Sequence, residues 1–186
     1  MATEAEPDRA SRDDAPVTTA KESHSERTLL AEAVTINRPA LELYSFWRDT
    51  ANLARFMENI ESIEPIDSTR SRWRVKAPAG REVTWEAVIT SEVPGEEITW
   101  QSSEGADVAN SGRIEFRDAG ARGTVVRAVI AYEPPAGLVG QLIAKLFQRE
   151  PRIQTRRDLR RFKQLMETGE IATAARTRAQ LEKENG

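Results

Sequence analysis

The chain has 186 residues, of which 39% are hydrophobic and 31% are charged, and it carries a formal net charge of -3. This length suits one folded domain with polar ends, and this charge gives no overall attraction to nucleic acid or to an anionic membrane. The absence of cysteine excludes disulfides, thiolate nucleophiles and cysteine-containing metal sites. It also suits a reducing cytoplasm, which is the location we expect.

The two ends of the chain are predicted to lie outside the domain. Residues 1–27 are polar and acidic, with hardly any large apolar side chain, which predicts a disordered tail without an export signal. Residues 169–186 are rich in alanine, arginine and glutamate, which predicts a charged tail that is partly helical or disordered. The folded domain is therefore predicted to span residues 28–168.

The domain is predicted to begin with a strand that leads into two short helices. Residues 28–36 alternate in hydrophobicity, and Asn37-Arg38-Pro39 is a typical helix start because the first helical turn tolerates proline. Apolar residues at helical spacing continue through residues 40–57, with a break at Arg48-Asp49-Thr50. Residues 60–66 form an imperfect strand pattern, which Pro65 favours at a sheet edge.

The second half of the domain is predicted to be an antiparallel meander followed by a long helix. Turn-forming clusters of glycine, proline and aspartate separate predicted strands near residues 70–77, 82–92, 97–103, 110–117 and 123–133. Residues 137–168 have apolar side chains at helical spacing, and Pro151 should kink or break this helix. The predicted fold class is α+β, with a curved antiparallel sheet of six to seven strands around a C-terminal helix.

Three of the four tryptophans share one face of the predicted sheet. Trp73, Trp85 and Trp100 each alternate with polar neighbours at period two, so their indoles should point into one interior. By the same alternation, the carboxylates of Glu82, Glu86 and Glu115 should lie on the solvated outer face. The pattern leaves open whether the aromatic interior is a dry core or a hollow pocket.

Seven short motifs follow one another through the predicted domain. They are Phe56-Met57, Arg72-Trp73-Arg74-Val75, Val83-Thr84-Trp85-Glu86-Ala87, Ile98-Thr99-Trp100-Gln101-Ser102, Gly112-Arg113-Ile114-Glu115-Phe116, Tyr132-Glu133-Pro134-Pro135-Ala136-Gly137 and Asp158-Leu159-Arg160-Arg161-Phe162-Lys163. This series resembles the START-like superfamily, also called SRPBCC, and is most similar to its bacterial polyketide cyclase/dehydrase-like group, which is related to Coq10-type coenzyme Q binding domains. The resemblance implies a helix-grip fold with a mostly apolar cavity between the sheet and the final helix.

The aromatic face and the resemblance together predict that this cavity binds a small hydrophobic ligand, such as a lipid, a quinone or a polyketide-like compound. The predicted ligand-binding residues are Trp73, Trp85, Trp100, Ser102, Phe116 and Tyr132. Gln154 or Arg156 of the final helix could add a polar group. The competing interpretation is that each of these aromatic residues simply packs a core.

The sequence contains few residues that could act in catalysis. The single histidine, His24, lies in the predicted tail, and neither a metal site nor a glycine-rich phosphate loop is expected. We therefore predict no cofactor, assign no catalytic residue and favour a binding protein over an enzyme. A cyclase or dehydratase without metal or nucleotide stays open as an alternative, provided that a carboxylate, Tyr132 or an arginine faces the cavity.

A basic stretch of the final helix supports a third interpretation. Lys145, Arg149, Arg152, Arg156 and Arg160 could contact an anionic membrane from its surface, although a solvated helix face paired with neighbouring acids is the favoured explanation. Nucleic acid is not expected as a partner, because no aromatic residues are interleaved on that face. The sequence does not indicate an oligomeric state.

Overall fold

A seven-stranded antiparallel sheet forms the frame of the protein. The computed structural model describes residues 28–77, 81–133 and 151–172. The strands are β1 (Thr28–Ile36), β2 (Ile60–Pro65), β3 (Arg70–Ala77), β4 (Arg81–Val93), β5 (Glu97–Ser102), β6 (Ala109–Asp118) and β7 (Thr124–Glu133). The helices are α1 (Ala40–Arg48), a 3₁₀ helix (Thr50–Arg55), a 3₁₀ turn (Gly120–Arg122) and α2 (Pro151–Thr168).

The strand order is β1-β7-β6-β5-β4-β3-β2, so β2 to β7 form a meander and β1 joins it beside the last strand. Pro65 ends β2 at one edge of the sheet, where a residue without an N–H group costs no ladder hydrogen bond. The curled sheet and its C-terminal helix confirm the predicted helix-grip fold. The second predicted short helix is a 3₁₀ helix, and the part of the long helix predicted for residues 137–150 lies outside the described residues.

Cross-strand pairs explain why β3 and β4 present opposite chemistry on their two faces. On the outer face, Arg72 Nη2 lies 2.9 Å from Glu86 Oε1, and Arg74 Nε lies 3.4 Å from Glu82 Oε2. Arg72 and Glu86 are register partners, whereas Arg74 and Glu82 are diagonal neighbours that lie two residues out of register. The inner face of the same strands therefore carries the apolar side chains, as the period-two alternation predicts.

Glu115 corrects the expectation of a fully solvated outer face. Its side chain points outward from β6 but is only 9% exposed, because Arg113, Arg117 and Arg127 close over it. Their guanidinium nitrogens lie 3.0, 3.1 and 3.3 Å from its carboxylate oxygens. Alternation predicted correctly that Glu115 lies on the outer face. It could not show that long arginine side chains shield Glu115 from solvent there.

An aromatic cluster fills the space between α1, the 3₁₀ helix and α2. Phe162 of α2 is fully buried, and its ring centroid lies 4.9 Å from that of Phe56 and 5.2 Å from that of Trp47. Phe46 adds a fourth ring at 5.7 Å from Phe162. Because aromatic side chains bury large areas in fixed geometry, this cluster holds α2 against α1 and the end of the 3₁₀ helix.

Hydrogen bonds to backbone carbonyls fix α2 along its length. Lys163 Nζ donates to the carbonyl of Thr35 at 2.7 Å, and Arg161 Nε donates to the carbonyl of Phe56 at 2.9 Å. Arg38 Nε in turn donates to the carbonyl of Met166, also at 2.7 Å. The helix is therefore positioned against both β1 and the segment that precedes β2.

Candidate ligand-binding cavity

A cavity of about 220 Å³ lies between the inner face of the sheet and α2. Most of its described wall is aliphatic or aromatic, with contributions from all seven strands, α1, the 3₁₀ helix and α2. The wall residues that carry polar groups other than an indole are Arg48, Thr50, Asn59, Ser71, Asn110, Tyr132, Gln154, Thr155 and Asp158. The aromatic face that the sequence predicts thus borders a hollow interior.

Two of the predicted tryptophans form a stacked pair on the cavity wall. Trp73 and Trp85 are direct cross-strand partners of β3 and β4, with ring centroids 5.8 Å apart and an interplanar angle of 17°. The indole N–H of Trp73 donates to Ser71 Oγ at 2.9 Å, and Ser71 is itself buried. This hydrogen bond and the stack fix the orientation of both rings and give the cavity a flat aromatic wall.

Trp100 owes its position to the residue across the strand pair. Trp100 and Gly112 are register partners of β5 and β6, and the indole lies over the glycine. A Cβ atom at position 112 would come within 2.5 Å of Trp100 Cζ2 and 2.6 Å of the Val129 carbonyl oxygen. Only glycine therefore allows this indole to lie flat against β6 while it lines the cavity.

The structure separates the six predicted site residues into two groups. Trp73, Trp85, Trp100 and Tyr132 line the cavity, whereas Ser102 and Phe116 do not line it. Ser102 Oγ accepts a hydrogen bond from the backbone N–H of Asn110 at 3.0 Å, so it fastens the end of the β5–β6 pair. Contact of these residues with a ligand stays a prediction.

Phe116 lies in the core and not on the cavity wall. The sequence could not show this, because alternation identifies the face of a strand on which a residue lies but not where along the sheet the cavity is. The ring of Phe116 meets Tyr44 of α1 edge-on, with centroids 6.0 Å apart. Ile98 and Ala128, the two register partners of Ile114, still line the cavity. Phe116, two residues further along β6, lies beyond this wall and packs in the core.

Two residues line the cavity although the sequence did not predict them as site residues. Trp47, the fourth tryptophan, lines the cavity from α1, although its helical spacing indicated only that it is buried. Asp158 lines it from α2, where the sequence suggested only an acid within a basic stretch. Asp158 precedes the buried Phe162 by four residues, a helical spacing that places both on the same face.

The Asp158 carboxyl is held by donors from two elements. Oδ1 accepts the backbone N–H of Glu58 at 3.3 Å and the side-chain amide of Gln154 at 2.9 Å. Burial raises the pKa of Asp158 from 3.8 to about 7, while these two hydrogen bonds and the charge of Arg161 act in the opposite direction. Near neutral pH the carboxyl therefore exists in both its protonated and its ionised form.

Arg48 is the charged wall residue of opposite sign, and its charge is compensated. Its Nε lies 2.5 Å from Glu92 Oε2, and its Nη2 donates to the carbonyl of Ser68 at 2.6 Å. Tyr44 also donates its hydroxyl to Glu92 Oε2, at 2.9 Å. The hydrogen bond from Arg48 holds the pKa of Glu92 below its usual range, so Glu92 is ionised at neutral pH.

The basic stretch of α2 is described only in part. Lys145 and Arg149 lie outside the described residues, and the side chain of Arg152 is not among those described. Arg156 and Arg160 are exposed and do not line the cavity, whereas Gln154 does line it. Peripheral membrane contact through this surface stays a prediction.

Two kinds of feature are absent from the described residues. None of the helices in residues 28–77, 81–133 and 151–172 is both long and apolar enough to span a membrane. Within the same residues, histidine and acidic side chains form no group of three that could hold a metal ion.

The class of protein follows from this geometry: a curled antiparallel sheet that holds a C-terminal helix across an apolar cavity is the START-like, helix-grip arrangement. Residues 36–160, more than half of the chain, match the family model described as polyketide cyclase / dehydrase and lipid transport. The chain belongs to this family, which confirms the resemblance read from its motifs. The family supports a hydrophobic ligand-binding fold.

Solved structures extend this result. DR_A0006 from Deinococcus radiodurans is 43% identical, with a TM-score of 0.64 over 77% of this chain and 99% of its own. TTHA0849 from Thermus thermophilus is 25% identical, with a TM-score of 0.57 over 74% and 94%. The Zhui aromatase/cyclase from Streptomyces sp. R1128 is 16% identical, with a TM-score of 0.60 over 78% and 99%, which shows a shared fold alone. No curated protein matches the sequence significantly.

Proposed function

We propose that this protein binds one small hydrophobic molecule, a lipid, quinone or polyketide-like compound, in the cavity between the sheet and α2. The observation that carries the proposal is a cavity of about 220 Å³ with three sheet tryptophans on its wall. A buried apolar space of this kind gains binding energy mainly by removing ligand surface from water, about 2.5 kcal/mol for each roughly 100 Å². After the costs of association, this is sufficient for micromolar affinity.

The size and shape of the cavity favour small ring systems among these ligands. Typical ligand pockets measure about 300–1,000 Å³, so a volume of about 220 Å³ suits a two-ring or three-ring molecule or a short chain better than a whole diacyl lipid. The stacked Trp73 and Trp85 offer a planar surface on which such a ring can lie. We therefore place planar aromatic compounds first among the candidate ligands.

Filling the cavity should abolish binding without unfolding the protein. Ala87 lines the cavity from the middle of β4, so in Ala87→Phe the added ring occupies the space meant for the ligand. We expect isothermal titration with naphthylmethanol, a small quinone and a fatty alcohol to give micromolar binding of at least one compound to the wild type. We expect binding at least about tenfold weaker in the variant.

The matched control is Ala121→Phe, which adds the same ring at an exposed position of the β6–β7 connection. It should bind like the wild type. Ile130→Trp, which fills the cavity from β7, repeats the test at a second wall position. Wild-type affinity in both cavity-filling variants would contradict the proposal, as would a wild type that binds none of the three compounds.

The second candidate function is acid–base catalysis, a cyclase or dehydratase reaction in the same cavity. The observation that favours it is Asp158, a cavity carboxyl whose pKa of about 7 allows it to give or accept a proton at neutral pH. A poly-β-ketone probe separates the two functions. Recovery of the bound probe unchanged assigns the cavity to binding, and a cyclised or dehydrated product that Asp158→Asn no longer forms assigns it to catalysis.

A further inference from the structure

The charges on the cavity wall bear on which ligands can enter. Of the described wall residues, Arg48 and Asp158 are the charged ones. Glu92 compensates Arg48 through contacts of 2.5 Å and 3.4 Å between its carboxylate oxygens and the guanidinium. Among the described wall residues there is therefore no uncompensated positive charge to which an anion could bind.

Asp158 has no comparable counter-charge at hydrogen-bond distance in the described part of the chain. Its hydrogen bonds within the described residues come from the N–H of Glu58 and the amide of Gln154, and both end on Oδ1. Among those residues, Oδ2 is the carboxyl oxygen that is open to a ligand. The charged groups that act on it are Arg161 of its own helix and Glu58 of the segment before β2, and they have opposite signs.

We propose, on the basis of the ligand-binding function above, that the cavity accepts uncharged apolar ligands and discriminates against anionic ones such as fatty-acid carboxylates. A carboxylate in this cavity would lose its hydration without gaining a cation from the described wall residues, and it would be repelled by the ionised Asp158. A neutral hydroxyl or carbonyl avoids both costs and can form a hydrogen bond with Oδ2, with Asp158 as acceptor or, when protonated, as donor.

A cationic ligand is disfavoured for a different reason. Burying an ammonium group beside Asp158 removes the ammonium from water, and its attraction to the carboxylate, which the fold has already buried, offsets this cost only when further hydrogen bonds satisfy the pair. The wall around them is mostly apolar, so it supplies few acceptors for the remaining N–H groups. The uncharged form of a ligand should therefore bind most tightly.

Three probes on one ring system test this selectivity: naphthylmethanol, naphthoate and naphthylmethylammonium, each titrated calorimetrically at pH 8. We expect the wild type to bind the alcohol at least about tenfold more tightly than the carboxylate. Asp158→Asn should improve naphthoate binding about tenfold and so bring the preference for naphthylmethanol over naphthoate close to one.

Glu92→Gln is an independent second variant, because it leaves the charge of Arg48 uncompensated beside the cavity without touching Asp158. It should also improve naphthoate binding, whereas Glu64→Gln on exposed β2 should change nothing. Naphthoate binding as tight as naphthylmethanol binding, or tighter binding of the ammonium probe, overturns the inference and leaves ligand binding in place. Failure of all three probes overturns the proposed function itself.

Discussion

Replacing Phe162 with alanine is expected to lower the free energy of unfolding by about 3–5 kcal/mol, the usual cost of deleting a buried aromatic ring. Phe162 is 0% exposed and contacts Phe46, Trp47 and Phe56, so the surrounding rings cannot collapse into the space without losing contacts with one another. Domains of this size are stable by about 5–15 kcal/mol, so the loss removes a large share of the total. Urea unfolding followed by tryptophan fluorescence measures it.

The control for this substitution lies on the same helix. Gln164→Ala changes an exposed position of α2 and should shift the free energy of unfolding by less than about 0.5 kcal/mol. The comparison separates loss of the aromatic cluster from any general effect on the helix. A cost below about 2 kcal/mol for Phe162→Ala would mean that the cluster does not hold α2 in place.

The second large effect concerns pH. Asp158→Asn should stabilise the protein, and its gain at pH 8 should exceed its gain at pH 5 by roughly 2–3 kcal/mol. Burial raises the pKa of Asp158 to about 7 in the folded state, against 3.8 for the exposed carboxyl. Folding therefore favours the protonated form, so this residue lowers the stability of the wild type progressively as the pH rises from about 4 to 7.

Asparagine removes this pH dependence without removing the acceptor. Its side-chain oxygen can still take the hydrogen bonds from the N–H of Glu58 and from Gln154. Denaturant unfolding of both proteins at pH 5, 6, 7 and 8 gives the profile, with Glu64→Gln as the exposed control. A gain that is constant over this range, or that falls as the pH rises, would show that Asp158 is not desolvated.

Period-two alternation predicted most of the sheet and its aromatic face. It succeeded for Trp73, Trp85 and Trp100 because a pleated strand has only two sides, and one polar residue in every two identifies the wet side. The turn-forming clusters likewise predicted the strand boundaries to within a residue or two. Both signals are local, so they could be read without knowing which strands are neighbours.

The features that the sequence did not reveal depend on where elements cross. Phe116 shares the inner face with Trp100, but it lies beyond the cavity wall and packs against Tyr44 of α1. The sequence signal for Asp158 is its four-residue spacing from Phe162, and its position in the cavity wall and its contact with the N–H of Glu58 show that it turns inward. The periodicity of a helix shows which of its residues share a face. It does not show what that face packs against, which for α2 is decided by tertiary contacts such as the one between Phe162 and Phe56.

Contacts within the protein fix the three sheet tryptophans on the cavity wall. Ring stacking and the Ser71 hydrogen bond position Trp73 and Trp85, and Gly112 positions Trp100. These contacts are made within the protein itself, so binding requires little reorganisation of the wall. Preorganisation of this kind suits recognition of one ligand shape.

Native mass spectrometry of the purified protein, before and after incubation with naphthylmethanol, tests the central claim most directly. The account predicts a one-to-one complex, formed either with the added alcohol or with a small apolar molecule that co-purifies and is released by organic extraction. The complex should be absent in Ala87→Phe. A wild type that shows only its own mass under both conditions, or an equally abundant complex in the cavity-filled variant, would contradict the claim.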